Sequence, residues 1–177
     1  IFLSPLKSFG LIEVDITRGN LNPLPVAVSP LSIDEKSKKS FEKILKKKDI
    51  GLEISSIVEN NLRVSGLFNP LNKDAFLQAP DIANLKPRFE DWNLIKAQAL
   101  ITGKVSNVND KLRVEFRLWD VLAGKEIMAL AFTTVPNNWR RVGHIISDKV
   151  YERLTGEKGY FDTRIIYVAE EGPKTKR

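Results

Sequence analysis

Residues 137–168 constrain the fold of this chain more than any other stretch. Thr155 and Gly156 end an apolar helical pattern, because glycine readily takes the left-handed conformation in which many helices terminate. A strand-like run, residues 165–168, follows a second glycine at Gly159. The stretch therefore predicts a helix, a tight turn and a strand. The apolar residues that recur at helical spacing are Trp139, Val142, Ile146, Val150 and Leu154.

A second apolar stripe predicts another helix upstream. Asp49 is suited to cap its start, and Ser65 with Gly66 marks its end. A short strand is expected just afterwards, at Leu67 and Phe68. Residues 33–48 also favour a helix, although lysines dominate the segment and its apolar positions are few. The stripe consists of Ile50, Ile54, Ile57, Val58 and Leu62.

Strand patterns surround these helices. Residues 26–28 form a short apolar run, and residues 99–105 form a longer one. Residues 112–118 alternate apolar and polar side chains after a turn rich in Asn and Asp, which predicts a hairpin, and residues 126–135 add a third strand. The order indicates an α/β (α+β) fold, with a mixed sheet of about five strands and two main helices on one face.

The centre of the chain carries weaker signals. Residues 71–87 are expected to form a loop that Phe76, Leu77 and Leu85 hold against the body. Residues 89–95 favour a short helix. Pro136 should stop the third strand of the meander, and Asn137 or Asn138 should cap the helix that follows.

Near the amino terminus, one segment alternates strictly between apolar and acidic residues. The pattern predicts a half-buried strand at a sheet edge, and such a strand either completes its own sheet or pairs with another chain. Residues 1–10 are either the tail of a secretory signal peptide or an ordinary disordered terminus. The alternating segment is Leu11, Ile12, Glu13, Val14, Asp15 and Ile16.

No catalytic or ligand-binding motif stands out. His144 is the only histidine, Asp148 is the only acid within one helical turn of it, and cysteine is absent. Neither glycine-rich nucleotide-binding signature occurs. Gly156 and Gly159 match a G-x-x-G loop of some RNA-binding modules, but a tight helix-to-strand connection is favoured. We expect no enzyme activity, no metal and no cofactor.

The net charge of +6 permits binding to nucleic acid or to an anionic surface. The lysines that would form such a patch lie in residues 36–48. Because Asp34, Glu35, Glu42 and Asp49 interrupt the basic run, a solvated helix face is the favoured interpretation and no nucleic-acid partner is expected.

Two motifs carry a family resemblance. The order W-R-x-x-G-H begins at Trp139, and D-K-V-Y-E-R-L-T-G-x-x-G-Y-F-x-T-R-I-x-Y-V runs from Asp148 to Val168. A shorter echo, V-S-G-L-F-N-P-L, begins at Val64. Together they resemble the amino-terminal domain of the TolB family, over residues 11–168. The lysine-rich insert, residues 32–48, is longer than expected for that family.

The resemblance implies a domain at residues 11–158, followed at residues 159–177 by the first strand of a β-propeller. It implies a monomeric, non-catalytic adaptor of the Tol-Pal system in the periplasm, acting in envelope integrity and in constriction at cell division. The propeller would bind the lipoprotein Pal, and the segment Leu11 to Ile16 would contact TolA. Contacts between the two domains would come from Trp139, Tyr160, Phe161, Arg164, Ile165 and Tyr167.

Two alternatives stay open. One is a basic domain that binds nucleic acid or an anionic surface, as the net charge permits. The other is the leading domain of a propeller hydrolase, because related propellers accompany peptidases. Within these residues no Ser lies in a G-x-S-x-G setting to favour the hydrolase.

Overall fold

A mixed sheet forms the centre of the computed structural model, which describes residues 22–47 and 49–163. The strands are β1 Leu24–Val28, β2 Ser32–Ile33, β3 Phe68–Pro70, β4 Ala99–Val108, β5 Lys111–Asp120 and β6 Lys125–Thr134. Their order in the sheet is β3-β1-β4-β5-β6, and β2 pairs with β4. β1 is parallel to both β3 and β4, whereas β4, β5 and β6 form an antiparallel meander.

Helices cover both faces of this sheet. They are α1 Glu35–Leu45, α2 Ile50–Val64, α3 Pro80–Leu85, α4 Phe89–Leu94 and α5 Trp139–Thr155. The main core lies between the sheet and α1, α2 and α5, whereas a smaller apolar cluster around Trp92 covers part of the opposite face. The predicted fold class is confirmed, with the short α3 and α4 added near the second cluster. No helix in the described part of the chain is long and apolar enough to cross a bilayer.

The ends of the two main helices follow the sequence prediction. The Asp49 carboxylate accepts a hydrogen bond of 2.9 Å from the Leu52 amide and caps α2. Gly66, just beyond α2, and Gly156, just beyond α5, both have φ of 75°. This left-handed conformation is easily accessible to glycine, which explains why both helices end there.

The lysine-rich insert folds as α1. The Asp34 carboxylate accepts a hydrogen bond of 2.9 Å from the Ser37 amide, which lowers the pKa of Asp34 and caps the helix. Phe41 is fully buried in the main core and anchors α1 to the sheet. The predicted helix is therefore confirmed, with shorter bounds.

The hairpin between β4 and β5 is tighter than predicted. β4 continues to Val108, and only Asn109 and Asp110 form the turn. Both have positive φ, 50° and 60°, which a two-residue hairpin turn of this type requires and which Asn and Asp tolerate. The alternating side chains of β5 face the main core as expected, at Leu112, Val114, Phe116 and Leu118.

Two predictions about the connections are wrong. Leu77 and Leu85 do not hold residues 71–87 against the body, because they point outward, 60% and 82% exposed. The segment instead folds into α3, which Pro80 opens and which buries Ala83. Asn138 occupies the position before α5, but its side chain makes no capping bond. Its Nδ2 instead donates to Thr134 Oγ1 at 3.0 Å.

Several sequence predictions fall outside the described residues. They are the amino-terminal strand, residues 11–16, and the strand expected at residues 165–168. The same holds for three residues assigned to the domain interface, Arg164, Ile165 and Tyr167.

Candidate interdomain joint

The chain turns back along α5 after Gly156. Thr155 Oγ1 donates to the Tyr151 carbonyl at 2.8 Å and accepts from the Glu157 amide at 3.1 Å. These bonds fix the first residues of the segment 157–163, here called the exit segment. The chain thus turns between Gly156 and Gly159 as predicted, whereas the strand expected after this turn lies outside the described residues.

A carboxylate in the middle of α5 binds the exit segment. Asp148 Oδ1 accepts from the Phe161 amide at 2.7 Å, and its Oδ2 accepts from the Asp162 amide at 3.1 Å. Gly159 makes the approach possible, because a Cβ at that position would lie 2.4 Å from the Asp148 Cα. Asp148 is therefore committed to the backbone of the exit segment.

An ion pair between Arg141 and Asp162 also binds the exit segment to α5. Arg141 Nε lies 3.1 Å from both carboxylate oxygens of Asp162, and its Nη2 lies 3.1 Å from Oδ2. The pair joins the first turns of α5 to the last described residues of the chain. Asp148 and Arg141 together form what we call the exit clamp.

Aromatic rings pack beneath the clamp. Tyr151 of α5 is buried and meets Phe68, Tyr160 and Phe161 edge to face, with centroids 5.5–6.1 Å apart. Burial raises the pKa of Tyr151, with smaller contributions from Tyr160 and Glu157. Phe161 is partly buried against the main core, whereas Tyr160 is 50% exposed. Of the three predicted interface residues that the structure describes, Tyr160 is thus the most exposed.

Trp139 lies at the other end of α5. Tyr151 follows Trp139 by twelve positions of helix, about 18 Å at 1.5 Å per residue. Its ring is buried, and the Arg140 guanidinium stacks on it at 4.3 Å. The structure therefore does not bring Trp139 together with Tyr160 and Phe161.

The single histidine belongs to a polar contact between α2 and α5. Asn61 Nδ2 lies 2.9 Å from His144 Nδ1 and donates to Ser147 Oγ at 2.9 Å. Ser147 Oγ in turn donates to the Gly143 carbonyl. His144 is thus a packed helix residue, as the sequence favoured. No group of three or more potential metal ligands occurs in residues 22–47 and 49–163.

A sequence profile of the family described as TolB amino-terminal domain matches residues 12–127. The chain belongs to this family. It is 84% identical over 173 residues to the Tol-Pal system protein TolB of Pelagibacter ubique, covering 98% of this chain but 39% of that protein. The TolB crystal structure from Acinetobacter baumannii superposes with a TM-score of 0.63 at 22% identity, over 86% of this chain and 33% of that one.

The resemblance drawn from the sequence motifs is thereby confirmed. The profile match ends inside β6, at Ile127, yet the fold of this TolB-family chain continues well beyond it. Val142, Ile146 and Leu154 of α5 are buried in the same core as α2 and β5. The described fold therefore includes α5 as an integral element.

The sequence analysis missed two side chains that organise this region. Asp148 was considered only as a partner for His144, although its carboxylate binds the exit segment. Asn61 lies one residue before Leu62 of the apolar stripe, on the buried face of α2. An amide at a core-facing helical position is the signal that could have indicated a polar contact with another helix.

Replacing Asp148 with alanine should release the exit segment without unfolding the domain. Two charged hydrogen bonds to backbone amides are lost, and we expect a destabilisation of about 1–3 kcal/mol. Hydrogen exchange at the Phe161 and Asp162 amides should accelerate strongly. Glu152→Ala, on the exposed side of the same helix, is the matched control and should leave these two amides protected. Unchanged exchange in Asp148→Ala would contradict the clamp.

Proposed function

We propose that this chain is the amino-terminal domain of a periplasmic, non-catalytic adaptor of the Tol-Pal system. The observation that carries the proposal is the 84% identity, across 98% of the chain, to a protein named Tol-Pal system protein TolB. The adaptor would link inner-membrane Tol proteins to the outer-membrane lipoprotein Pal and act in envelope integrity and cell division.

The two partners would be bound by different parts of the protein. The chain spans 39% of the length of its Pelagibacter relative, so much of a protein of that length would lie outside it. We assign Pal binding to a propeller following the exit segment, and TolA binding to residues 11–16. The alternating pattern of residues 11–16 suits pairing with a strand of another chain.

The exit clamp supports the assignment of a joint between two domains. Asp148 and Arg141 fix the direction in which the backbone leaves α5. Tyr160 remains half exposed beside this point, as expected of a residue that a following domain covers. We propose that Tyr160 and Phe161, with Arg164, Ile165 and Tyr167, contact that domain, whereas Trp139 contributes by anchoring α5.

A non-catalytic role agrees with the use of the polar side chains. His144 contacts Asn61, and Asp148 binds two backbone amides. Neither is therefore poised as a general base beside a nucleophile in the described residues.

Deleting residues 11–16 should abolish capture of TolA. An added strand contributes its whole row of backbone hydrogen bonds at once, so we expect the affinity to fall at least about a hundredfold. The measurement is the dissociation constant of purified TolA from the immobilised complete protein, determined with and without residues 11–16.

A second variant tests whether TolA binding needs the alternation of apolar and acidic residues and not merely a segment of this length. It keeps the composition of residues 11–16 but places Glu13 and Asp15 at adjacent positions, which breaks the alternation. It should also lose TolA, whereas both variants should retain Pal. Undiminished TolA capture by the deletion variant would refute the assignment of this segment.

One observation favours a second candidate function, binding to an anionic surface. Lys36, Lys39, Lys43 and Lys46 are exposed and recur every three or four residues, so they form one stripe along α1 and its carboxyl-terminal cap. If the stripe binds polyanions, retention on anionic vesicles should be strong at low salt and fall steeply as salt rises. No retention at low salt would exclude this function.

A further inference from the structure

Within residues 22–47 and 49–163, one long edge of the sheet has no further strand beside it. β6 is ten residues long, and among the described residues only β5 pairs with it. The opposite edge strand, β3, has three residues and ends at Pro70. An edge strand presents unpaired backbone N–H and C=O groups, which form a template for a further strand.

Proteins usually protect such an edge with charges, proline or a bulge. In β6 these devices are confined to the start of the strand. Lys125 and Glu126 are charged, and Ile127 is an extra residue in the pairing with β5. The Ile127 carbonyl also accepts a hydrogen bond from Arg153 Nε at 3.3 Å. Residues 128–134, here called the open edge, contain no charge, proline or glycine.

The side of the open edge that faces the helices is apolar and incompletely covered. Met128, Leu130 and Phe132 stand opposite three buried residues of β5. Met128 and Phe132 pack against the main core, but Leu130 remains 37% exposed. A strand placed beside β6 would cover this row if its own alternate side chains were apolar. The three opposing residues are Leu118, Phe116 and Val114.

The other side of the open edge is small and bordered by basic groups. Ala129 and Ala131 form the floor of a groove of about 200 Å³, and Arg113 and Arg117 stand beside them on β5. The arginines pair with Glu115 at 2.7 Å and with Glu126 at 3.1 Å, both pairs being partly exposed. Because the alanines are short, side chains of an added strand can reach across them to the guanidinium groups.

Basic side chains exceed acidic ones around this groove. Lys104 of β4 is exposed and pairs in register with Glu115, which adds a further positive charge to this part of the sheet. The set is Lys104, Arg113 and Arg117 against Glu115 and Glu126. An acidic strand therefore complements this side better than a basic one.

We propose that the open edge of β6 binds an extended strand of a partner protein in which apolar and acidic residues alternate. Its apolar side chains cover Leu130, and its carboxylates cross the alanines to Arg113 and Arg117. The backbone supplies affinity and the alternate side chains supply specificity. This binding site is additional to the proposed TolA and Pal contacts and does not rest on them.

The test uses the 177-residue chain and a fluorescent synthetic peptide that alternates valine and glutamate. We expect saturable binding by fluorescence polarisation and slower hydrogen exchange confined to residues 128–134 and their β5 neighbours. Leu130→Lys should abolish binding, because a charge on the apolar side is a device that protects edges. Arg113→Glu should weaken binding at least about fivefold and make a valine–lysine peptide the better ligand.

Leu122→Lys is the matched control, because Leu122 is 64% exposed in the turn between β5 and β6. It should bind the peptide like the parent chain, and circular dichroism should show that all three variants are folded. Binding unaffected by Leu130→Lys, or no binding of the parent, would overturn the proposal. So would a concentration-dependent dimer that Leu130→Lys dissociates, since the edge would then serve a second copy.

Discussion

Replacing Gly51 with alanine lowers the free energy of unfolding by about 3 kcal/mol or more. Gly51 lies in the first turn of α2, where a Cβ would stand 2.1 Å from the Leu31 carbonyl oxygen and 3.3 Å from the Asp49 carboxylate. The nearest atom belongs to the backbone of a buried residue, so the contact is relieved only when α2 and the chain around Leu31 move apart.

The sign of the stability change in Gly51→Ala shows whether close packing or helix propensity dominates at this position. Helix propensity alone favours alanine over glycine by about 1 kcal/mol and predicts a gain in stability. Urea unfolding followed by circular dichroism measures the difference. Ser56→Ala, at an exposed position of the same helix, should change stability by less than about 0.5 kcal/mol. A Gly51→Ala protein as stable as the parent would show that α2 is not in close contact with Leu31.

Replacing Trp92 with alanine should lower the free energy of unfolding by about 3–5 kcal/mol. Trp92 is 1% exposed and forms the centre of the smaller apolar cluster. Its ring meets Phe76 edge to face at 5.0 Å, and its indole N–H donates to Gln78 Oε1 at 2.9 Å. The substitution opens a cavity and also removes a donor from a buried amide oxygen.

Two further variants separate the effect of losing the ring from the effect of losing the indole hydrogen bond. Trp92→Phe keeps an aromatic ring in the cluster, and Gln78 Oε1 still accepts a hydrogen bond from the Arg88 amide. This variant should therefore lose less free energy of unfolding, about 1–2 kcal/mol. Leu94→Ala, 74% exposed in the same helix, should be close to neutral. Equal stability of Trp92→Ala and the parent in urea unfolding would contradict the role of this cluster.

The main elements of the fold could be predicted because their signals are local. The stripes of α2 and α5, the Asp49 cap, and the glycines after both helices each lie within a few residues of the structure that they determine. The alternation of β5 likewise identified which side chains enter the core. Periodicity and capping act through neighbouring residues, so a single sequence reveals them.

Contacts between distant segments could not be predicted in this way. Leu85 resembles a core residue by type, but the orientation of α3 on the sheet leaves it exposed. Asp148 binds amides 13 and 14 residues away, and Asn61 meets a residue 83 positions away. The packing of the helices decides which polar side chains meet such a distant partner. A local sequence pattern therefore cannot predict these contacts.

The candidate joint was therefore predicted only in outline. The sequence indicated a helix, a turn at Gly156 and an aromatic pair at Tyr160 and Phe161. The clamp that fixes them became visible only in three dimensions, because it joins Arg141 and Asp148 to residues that follow the helix.

We propose that this chain carries the TolA contact of an adaptor whose Pal contact lies in a following domain. The most direct test titrates TolA and Pal separately into the 177-residue chain and into the complete protein by isothermal calorimetry. We expect the 177-residue chain to bind TolA and not Pal, and the complete protein to bind both. A chain that binds Pal, or a complete protein that binds neither partner, would contradict it.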